Sequence, residues 1–193
     1  VGLSQTIAPV ADVVSRVDAK LHCDITGDDF DSIVDSLLTV ATDACQGDTG
    51  RQFITATYVW TFDTFPTEDE LDVPCPPLQS VTSIKYIDTA GVQQTLSTDV
   101  YDTDLTSAAG RIFLKYDQEW PDIRGDIDGI EITFKAGYGD AATDVPSMLR
   151  HAVKMMIKHL YVHPSPVSDR TKTEVPRSVR YLLERFDVRD MTG

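Results

Sequence analysis

An α+β fold, in which a small helical bundle is built from both ends of the chain and an antiparallel β block is inserted between them, is predicted by three features of the 193 residues. Apolar residues recur at helical spacing near both termini. Within residues 55–138 they alternate with polar ones over short runs bounded by glycine and proline. A half-buried strand at 130–136 then runs through the glycine turn Gly137-Tyr138-Gly139-Asp140 straight into an amphipathic helix, which ties sheet to bundle.

Each element follows from its residues. Pro9 is placed to open a first helix, with Val10, Val13, Val14, Val17 and Leu21 on one face. Residues 22–27 break it. A second helix is expected from Asp28-Asp29, with Asp31 in the first turn, where carboxylates meet the positive end of the helix dipole. It would bury Phe30, Ile33, Val34, Leu37, Leu38, Ala41 and Cys45 and end near Gly47 or Gly50.

In the β block, Tyr58, Trp60 and Phe62 alternate with Val59, Thr61 and Asp63, and Pro66 closes the run. Pro74-Cys75-Pro76-Pro77 is expected to be extended and stiff. Strands at 81–87 and 92–96 flank Asp88-Thr89-Ala90-Gly91, a hairpin loop with glycine where positive φ is often needed. A further strand is expected at 111–116, followed by a long polar loop, 117–128, of the kind that often carries function. Ile130, Ile132, Phe134 and Ala136 alternate with Glu131, Thr133 and Lys135 in the last strand. Thr143-Asp144-Val145-Pro146 supplies an N-cap and a first-turn proline for a helix with Met148, Leu149, Ala152, Val153, Met156 and Leu160 on its apolar face and Arg150, Lys154 and Lys158 opposite. After the presumptive linker 163–175, a short helix carrying Val179, Leu182, Leu183 and Phe186 completes the bundle. The chain thus reads as one 193-residue domain, with a helical core at 8–50 and 144–187, a β insertion at 55–138 and a basic tail at 164–193.

Composition narrows the function classes. A hydrophobic content of 41% is that of an ordinary globular protein, and no apolar run reaches the roughly 18 residues of a membrane span. The start, Val1-Gly2-Leu3-Ser4-Gln5, lacks the basic-then-apolar layout of a signal peptide, so a soluble, non-secreted protein is expected. Cys23, Cys45 and Cys75 are odd in number and lack metal-type spacing, as suits reduced thiols in a cytoplasm. The net charge of −14 is unevenly spread: residues 1–149 carry 8 basic and 26 acidic side chains, residues 150–193 carry 9 and 5. So acidic a body argues against tight wrapping of DNA, whose affinity comes from lysine and arginine displacing counterions.

No catalytic pattern stands out. His159 and His163 are spaced i, i+4 but enclose no glutamate and suggest no third zinc ligand. Asp122, Asp126 and Asp128 hold fragments of a calcium loop without its register of ligands. No nucleophile elbow, phosphate-cradling loop or nucleotide fingerprint is present. No catalytic residue, cofactor or metal is therefore assigned. A ligand-binding β module such as a carbohydrate reader, built on the Tyr58, Trp60 and Phe62 strand, is the alternative class.

Taken in order, several short motifs resemble one family. They are the Ala8-Pro9-Val10 opening, Asp28-Asp29-Phe30-Asp31, Ala41-Thr42, Thr49-Gly50-Arg51, and Trp60-Thr61-Phe62-Asp63-Thr64-Phe65-Pro66. They continue with Pro76-Pro77-Leu78-Gln79-Ser80-Val81-Thr82-Ser83-Ile84, Gly110-Arg111-Ile112, Trp120-Pro121, Phe134-Lys135-Ala136-Gly137-Tyr138-Gly139 and Val145-Pro146. The family is that of the head-to-tail connectors, also called adaptor or head-completion proteins, of tailed double-stranded DNA bacteriophages and prophage-derived particles. The resemblance implies a structural virion protein of the head-tail neck, assembled in the host bacterial cytoplasm, with no reaction involved. It implies a cyclic homo-oligomer, commonly of twelve copies, beneath the portal protein. That ring would extend the DNA channel and hold the next connector, stopper or tail protein, while genomic double-stranded DNA passes through without sequence-specific binding.

Two sets of residues are then the expected sites. Lys172, Arg177, Arg180, Arg185 and Arg189 concentrate positive charge on a short segment after the Pro164-Ser165-Pro166 break, and are the expected portal contact. Asp117, Glu119, Asp122, Asp126 and Asp128 are the expected channel-lining loop, where carboxylates would repel DNA phosphates and keep the duplex sliding.

Overall fold

The computed structural model describes residues 1–163 and 175–188. Along the chain it forms β1 (Gly2–Ile7), α1 (Arg16–Cys23), α2 (Asp31–Thr49), β2 (Ala56–Phe62), β3 (Glu70–Asp72), β4 (Leu78–Ile87), β5 (Gln93–Thr95), β6 (Tyr101–Asp104), β7 (Arg111–Leu114) and β8 (Ile130–Ala136). A 3₁₀ turn (Ala142–Asp144), α3 (Ser147–Val162), α4 (Arg177–Leu183) and a second 3₁₀ turn (Glu184–Phe186) follow. The fold is mixed α+β, and the chain divides into two compact units. One is Val1–Pro9 with Thr55–Tyr138; the other is Val10–Ile54 with the described residues from Gly139 onward.

The β unit holds two antiparallel sheets. The five-stranded sheet has the order β1-β2-β8-β4-β5 and the three-stranded sheet the order β3-β7-β6. Register in the first is set at its centre, where Tyr58 faces Phe134, Trp60 faces Ile132 and Ile84 faces Ile132 from the other side. These β8 side chains alternate as their sequence requires: Ile130, Ile132, Phe134 and Ala136 are all fully buried. Leu71, Tyr101 and Ile112 of the second sheet join the same apolar core. The hairpin at Asp88 closes as expected, Gly91 taking φ 81° while the Asp88 carboxylate accepts from the amides of Ala90 and Val92, both at 2.9 Å.

Three strands escape the sequence pattern. β3 and β6 are short and acidic, Glu-Leu-Asp and Tyr-Asp-Thr-Asp, so no alternation of useful length exists to find. β1 is the larger correction. Residues 2–7, outside the expected β insertion at 55–138, form an edge strand paired with β2 from Gly2↔Thr61 to Ile7↔Thr57. The Pro74-Cys75-Pro76-Pro77 segment also departs from its expected extended form, turning at Cys75 with φ 57°.

In the second unit helices from both ends of the chain pack together: α2 against α3, α1 against α3 and α2, and α4 against α3 and α2. The first helix begins at Arg16, seven residues beyond Pro9, because Ser15 is its N-cap and accepts from the Asp18 amide at 3.1 Å. That shift changes its face. Val13, Val14, Ala19 and Cys23 are buried, whereas Val10, Val17 and Leu21, expected in the core, are each about three-quarters exposed. In α2, Val34, Leu38, Ala41 and Cys45 are buried as expected, but Ile33 and the N-cap residue Phe30 are nearly half exposed. It ends at Gly50, whose φ of 67° is the left-handed cap that glycine tolerates.

The turn into α3 works differently from its sequence reading. Gly137 takes φ 130°, but Gly139 is required for space: a Cβ there would lie 2.3 Å from Asp144 Oδ2. The Asp144 carboxylate reaches back to accept from the Ala141 amide at 3.0 Å, and α3 starts only after Pro146. Leu149, Ala152, Val153, Met156 and Ile157 form its buried face.

Candidate functional site

The basic end of the chain is presented by α4. Pro176, barred from donating, sits at its N-cap, and Val179 and Leu183 are fully buried one turn apart, fixing which face points inward. Arg177, Arg180 and Arg185 are consequently exposed, as is Tyr181. None of the three arginines has an ion pair among the described residues, although the chain carries 31 carboxylates. Arg51 shows the contrast. Its Nε donates to the Phe186 carbonyl at 2.6 Å, anchoring the turn that follows α4, and the Val188 amide donates to the Thr49 carbonyl at 3.2 Å. Lys172 and Arg189, with Pro164-Ser165-Pro166, lie outside the described residues.

A second basic row turns out to be internal. Arg150, Lys154 and Lys158 do advance along one face of α3, but that face meets α1. Lys158 Nζ lies 3.0 Å from Asp24 and donates to the Cys23 carbonyl, Lys154 approaches Asp18 at 4.0 Å, and Arg150 Nε donates to the Val145 carbonyl. Cross-pairing of this kind has no signature in one helix's periodicity. The partner aspartates could be found only by knowing which helices touch.

The loop 117–128 is pinned at several points. Trp120 stacks on Phe65 with ring centroids 4.8 Å apart and planes within 5°, and its Nε1 donates to the Glu68 carbonyl. Ile123 bridges Asp88, and the Arg124 amide donates to the Ile87 carbonyl. Between the pins the five acidic residues are not equivalent. Asp126 forms an ion pair with Arg124 at 2.6 Å; the Asp128 carboxylate accepts from Thr61 Oγ1 at 2.8 Å while its amide donates to Asp63. Asp117, Glu119 and Asp122 are exposed with no side-chain partner among the described residues, beside the almost fully exposed Tyr116 and Ile127. Asp117 and Asp128 hold positive φ, 60° and 52°, which short polar side chains tolerate. The five thus separate into three free carboxylates at the surface and two that hold the loop's own shape.

Other candidate chemistry dissolves into structure. The rings of His159 and His163 are 5.1 Å apart, and among the described residues no cluster of three metal-type ligands occurs. Cys45 is buried and its thiol is pushed up to about 12 by desolvation, and burial also raises Cys23 and Cys75, so none is poised as a thiolate. In the aromatic strand Tyr58 stacks on Phe134 and Phe62 is buried against Phe65, while Trp60 is half-buried with its ring 4.9 Å from that of Phe62. Among the described residues no helix is long and apolar enough to cross a membrane.

By sequence the chain matches no family model and no curated protein. By structure it matches solved chains over nearly its whole length. A chain from the neck of an empty GTA particle, computed with C6 symmetry, aligns with a TM-score of 0.79 and 22% identity over 97% of this chain and 95% of that one. A chain from the virion of a native gene transfer agent (GTA) particle aligns at 0.78 and 20%, and one from the neck of a native GTA particle computed with C12 symmetry at 0.73 and 21%, each with the same coverage. At such identity the likeness establishes a shared fold.

Proposed function

We propose that this chain is a structural neck protein of a phage-like particle, a ring-forming connector that sits beneath the portal, extends the DNA channel and joins the filled head to the tail or the next connector. The observation that carries the reading is the reciprocal match: 97% of this chain and 95% of its counterpart align, so the likeness includes residues of both units. The order of motifs that resembles the connector family supports it independently, because it rests on residues and not on the fold. The C6 and C12 symmetries of the matched necks favour a closed ring, with twelve copies as the working number.

Within that reading, Arg177, Arg180 and Arg185 are the portal contact, since three exposed guanidinium groups without acidic partners among the described residues are available to an acidic surface. The free carboxylates Asp117, Glu119 and Asp122 form part of the channel wall. The role is mechanical and involves no reaction. Alone, an acidic subunit of net charge −14 remains monomeric or forms only a labile oligomer at low salt. Cryo-EM of the assembled particle, reconstructed without imposed symmetry, is the test. A cyclic ring at the neck is expected, and a twofold dimer with a large buried interface would sink the reading.

A further inference from the structure

The two sheets treat their edges in opposite ways. Both outer strands of the three-stranded sheet carry charge, Glu70 and Asp72 on β3 and Asp102 and Asp104 on β6. Charged edges repel stray strands and are a usual defence against edge-to-edge pairing. The five-stranded sheet lacks that defence on either side. Residues 1–11, which include β1, contain no Asp, Glu, Lys or Arg, and neither do residues 89–98, which include β5. In a chain that is 25% charged, uncharged runs of comparable length also occur at 52–62, 73–84 and 159–168, the first two accounted for by β2 and the buried part of β4. Burial does not account for the edges. All three β5 residues are exposed, as are residues 3–7 of β1, with Leu3 and Ile7 at 43% and 58%.

We infer that β1 of one copy pairs with β5 of the next, so that the five-stranded sheets join head to tail around the ring. The inference rests on the ring reading above and specifies its joint. Two different open edges on one sheet give a heterologous interface, the kind that closes into a ring. Every neighbouring pair within the sheet is antiparallel, so β1 and β5 run in the same direction. Rotation about an axis along the strands preserves that direction, and the joint is a parallel pair. Its ladder needs only the outward amides and carbonyls of the two edges, and uncharged flanks let a net-negative subunit approach itself there.

Cysteine cross-linking tests this in a Cys75→Ser background, Cys23 and Cys45 being buried. Ser4→Cys and Gln94→Cys are introduced together and separately, with Ser4/Gln93 and Ser4/Thr95 pairs as adjacent registers. Within one chain the two edges are four strand spacings apart, about 19 Å at ~4.8 Å each, far beyond the ~7 Å Cα limit of a disulfide. Oxidised particles carrying a double variant should give a ladder of chain multiples on a non-reducing gel, and neither single variant should. Cryo-EM of the same particles reports separately whether the ring is present. A ring with no ladder at any register overturns the joint alone, as does a dimer from Ser4→Cys alone or a cross-link to a protein of another mass. Absence of the ring overturns the joint and the ring reading together.

Discussion

At the scale of single residues, two positions carry constraints that composition does not display. Gly139 is needed because the Asp144 carboxylate and Cβ occupy the space its own Cβ would take, at 2.3 and 2.5 Å. Gly139→Ala must push Asp144 off the Ala141 amide, and a loss of about 1–3 kcal/mol is expected, seen as a fall in Tm of about 2–4 °C per kcal/mol for a chain this size. Asp104 is held well below the usual carboxylate range. Thr106 does most of this, donating its hydroxyl at 2.8 Å and its amide at 2.9 Å, and Arg111 adds a contact at 3.0 Å. A carboxylate lowered by folding stabilises the fold above its unfolded pKa of about 3.9 and loses that contribution as pH falls through the depressed folded value. Wild type should therefore exceed Asp104→Asn in thermal midpoint at about pH 6, with the gap closing as the pH is taken below about 4. A gap that widens in acid would reverse the assignment. The two residues also differ in how readable they are. A glycine pair after a strand announces a turn, but only the coordinates distinguish the glycine that needs positive φ from the one that needs room.

At the scale of elements, the sequence was most legible where one face is wet and the other dry. β8, the stretch of α2 from Val34 to Cys45 and the interior of α3 alternate or repeat at the right period, and their buried residues follow. Legibility failed at α1. Its valines satisfy a helical period from Pro9, yet the serine cap at Ser15 starts the helix later and turns Val17 and Leu21 outward. It failed at β1 for a different reason: with almost every side chain exposed, a strand has no pattern to show. α4 combines both situations. Its apolar residues announced a packed helix and its arginines an exposed one, and both statements hold. This bears on how the portal contact is tested. Val179 and Leu183 are fully buried, worth about 1.5–3 kcal/mol each, so deleting the segment from Pro176 onward should unfold or loosen the helical unit and confuse docking with stability. Charge reversal separates them. Arg177→Glu/Arg180→Glu/Arg185→Glu alters exposed groups that have no ion pair among the described residues, and its Tm should stay near wild type, surface changes of this kind being worth about ±0.5 kcal/mol each. Heads made with it should package DNA but fail to retain this chain and leak. Normal retention with a normal Tm would move the portal contact away from α4.

At the scale of the whole molecule, the acidic excess is the property with the longest reach. Among the described residues three of the carboxylates behind the net charge of −14, Asp117, Glu119 and Asp122, have no side-chain partner and sit on a loop held in place by Trp120 and Ile123. If that loop faces the channel, Asp117, Glu119 and Asp122 repel the phosphates of the passing duplex. Lysines at the same places would attract them and release counterions from the DNA. Asp126 and Asp128 are best left intact, since changing them would break the Arg124 and Thr61 contacts and disturb the loop itself. Asp117→Lys/Glu119→Lys/Asp122→Lys adds two charges per site and brings the subunit from −14 to −8. Particles carrying it should eject DNA more slowly or retain part of it. The delay should be greatest at low salt and shrink as ionic strength passes about 0.1 M, where the Debye length falls to about 10 Å. A delay that ignores salt would indicate a damaged loop instead of an electrostatic brake. Ejection at the wild-type rate in low salt would place these carboxylates on the outside of the ring.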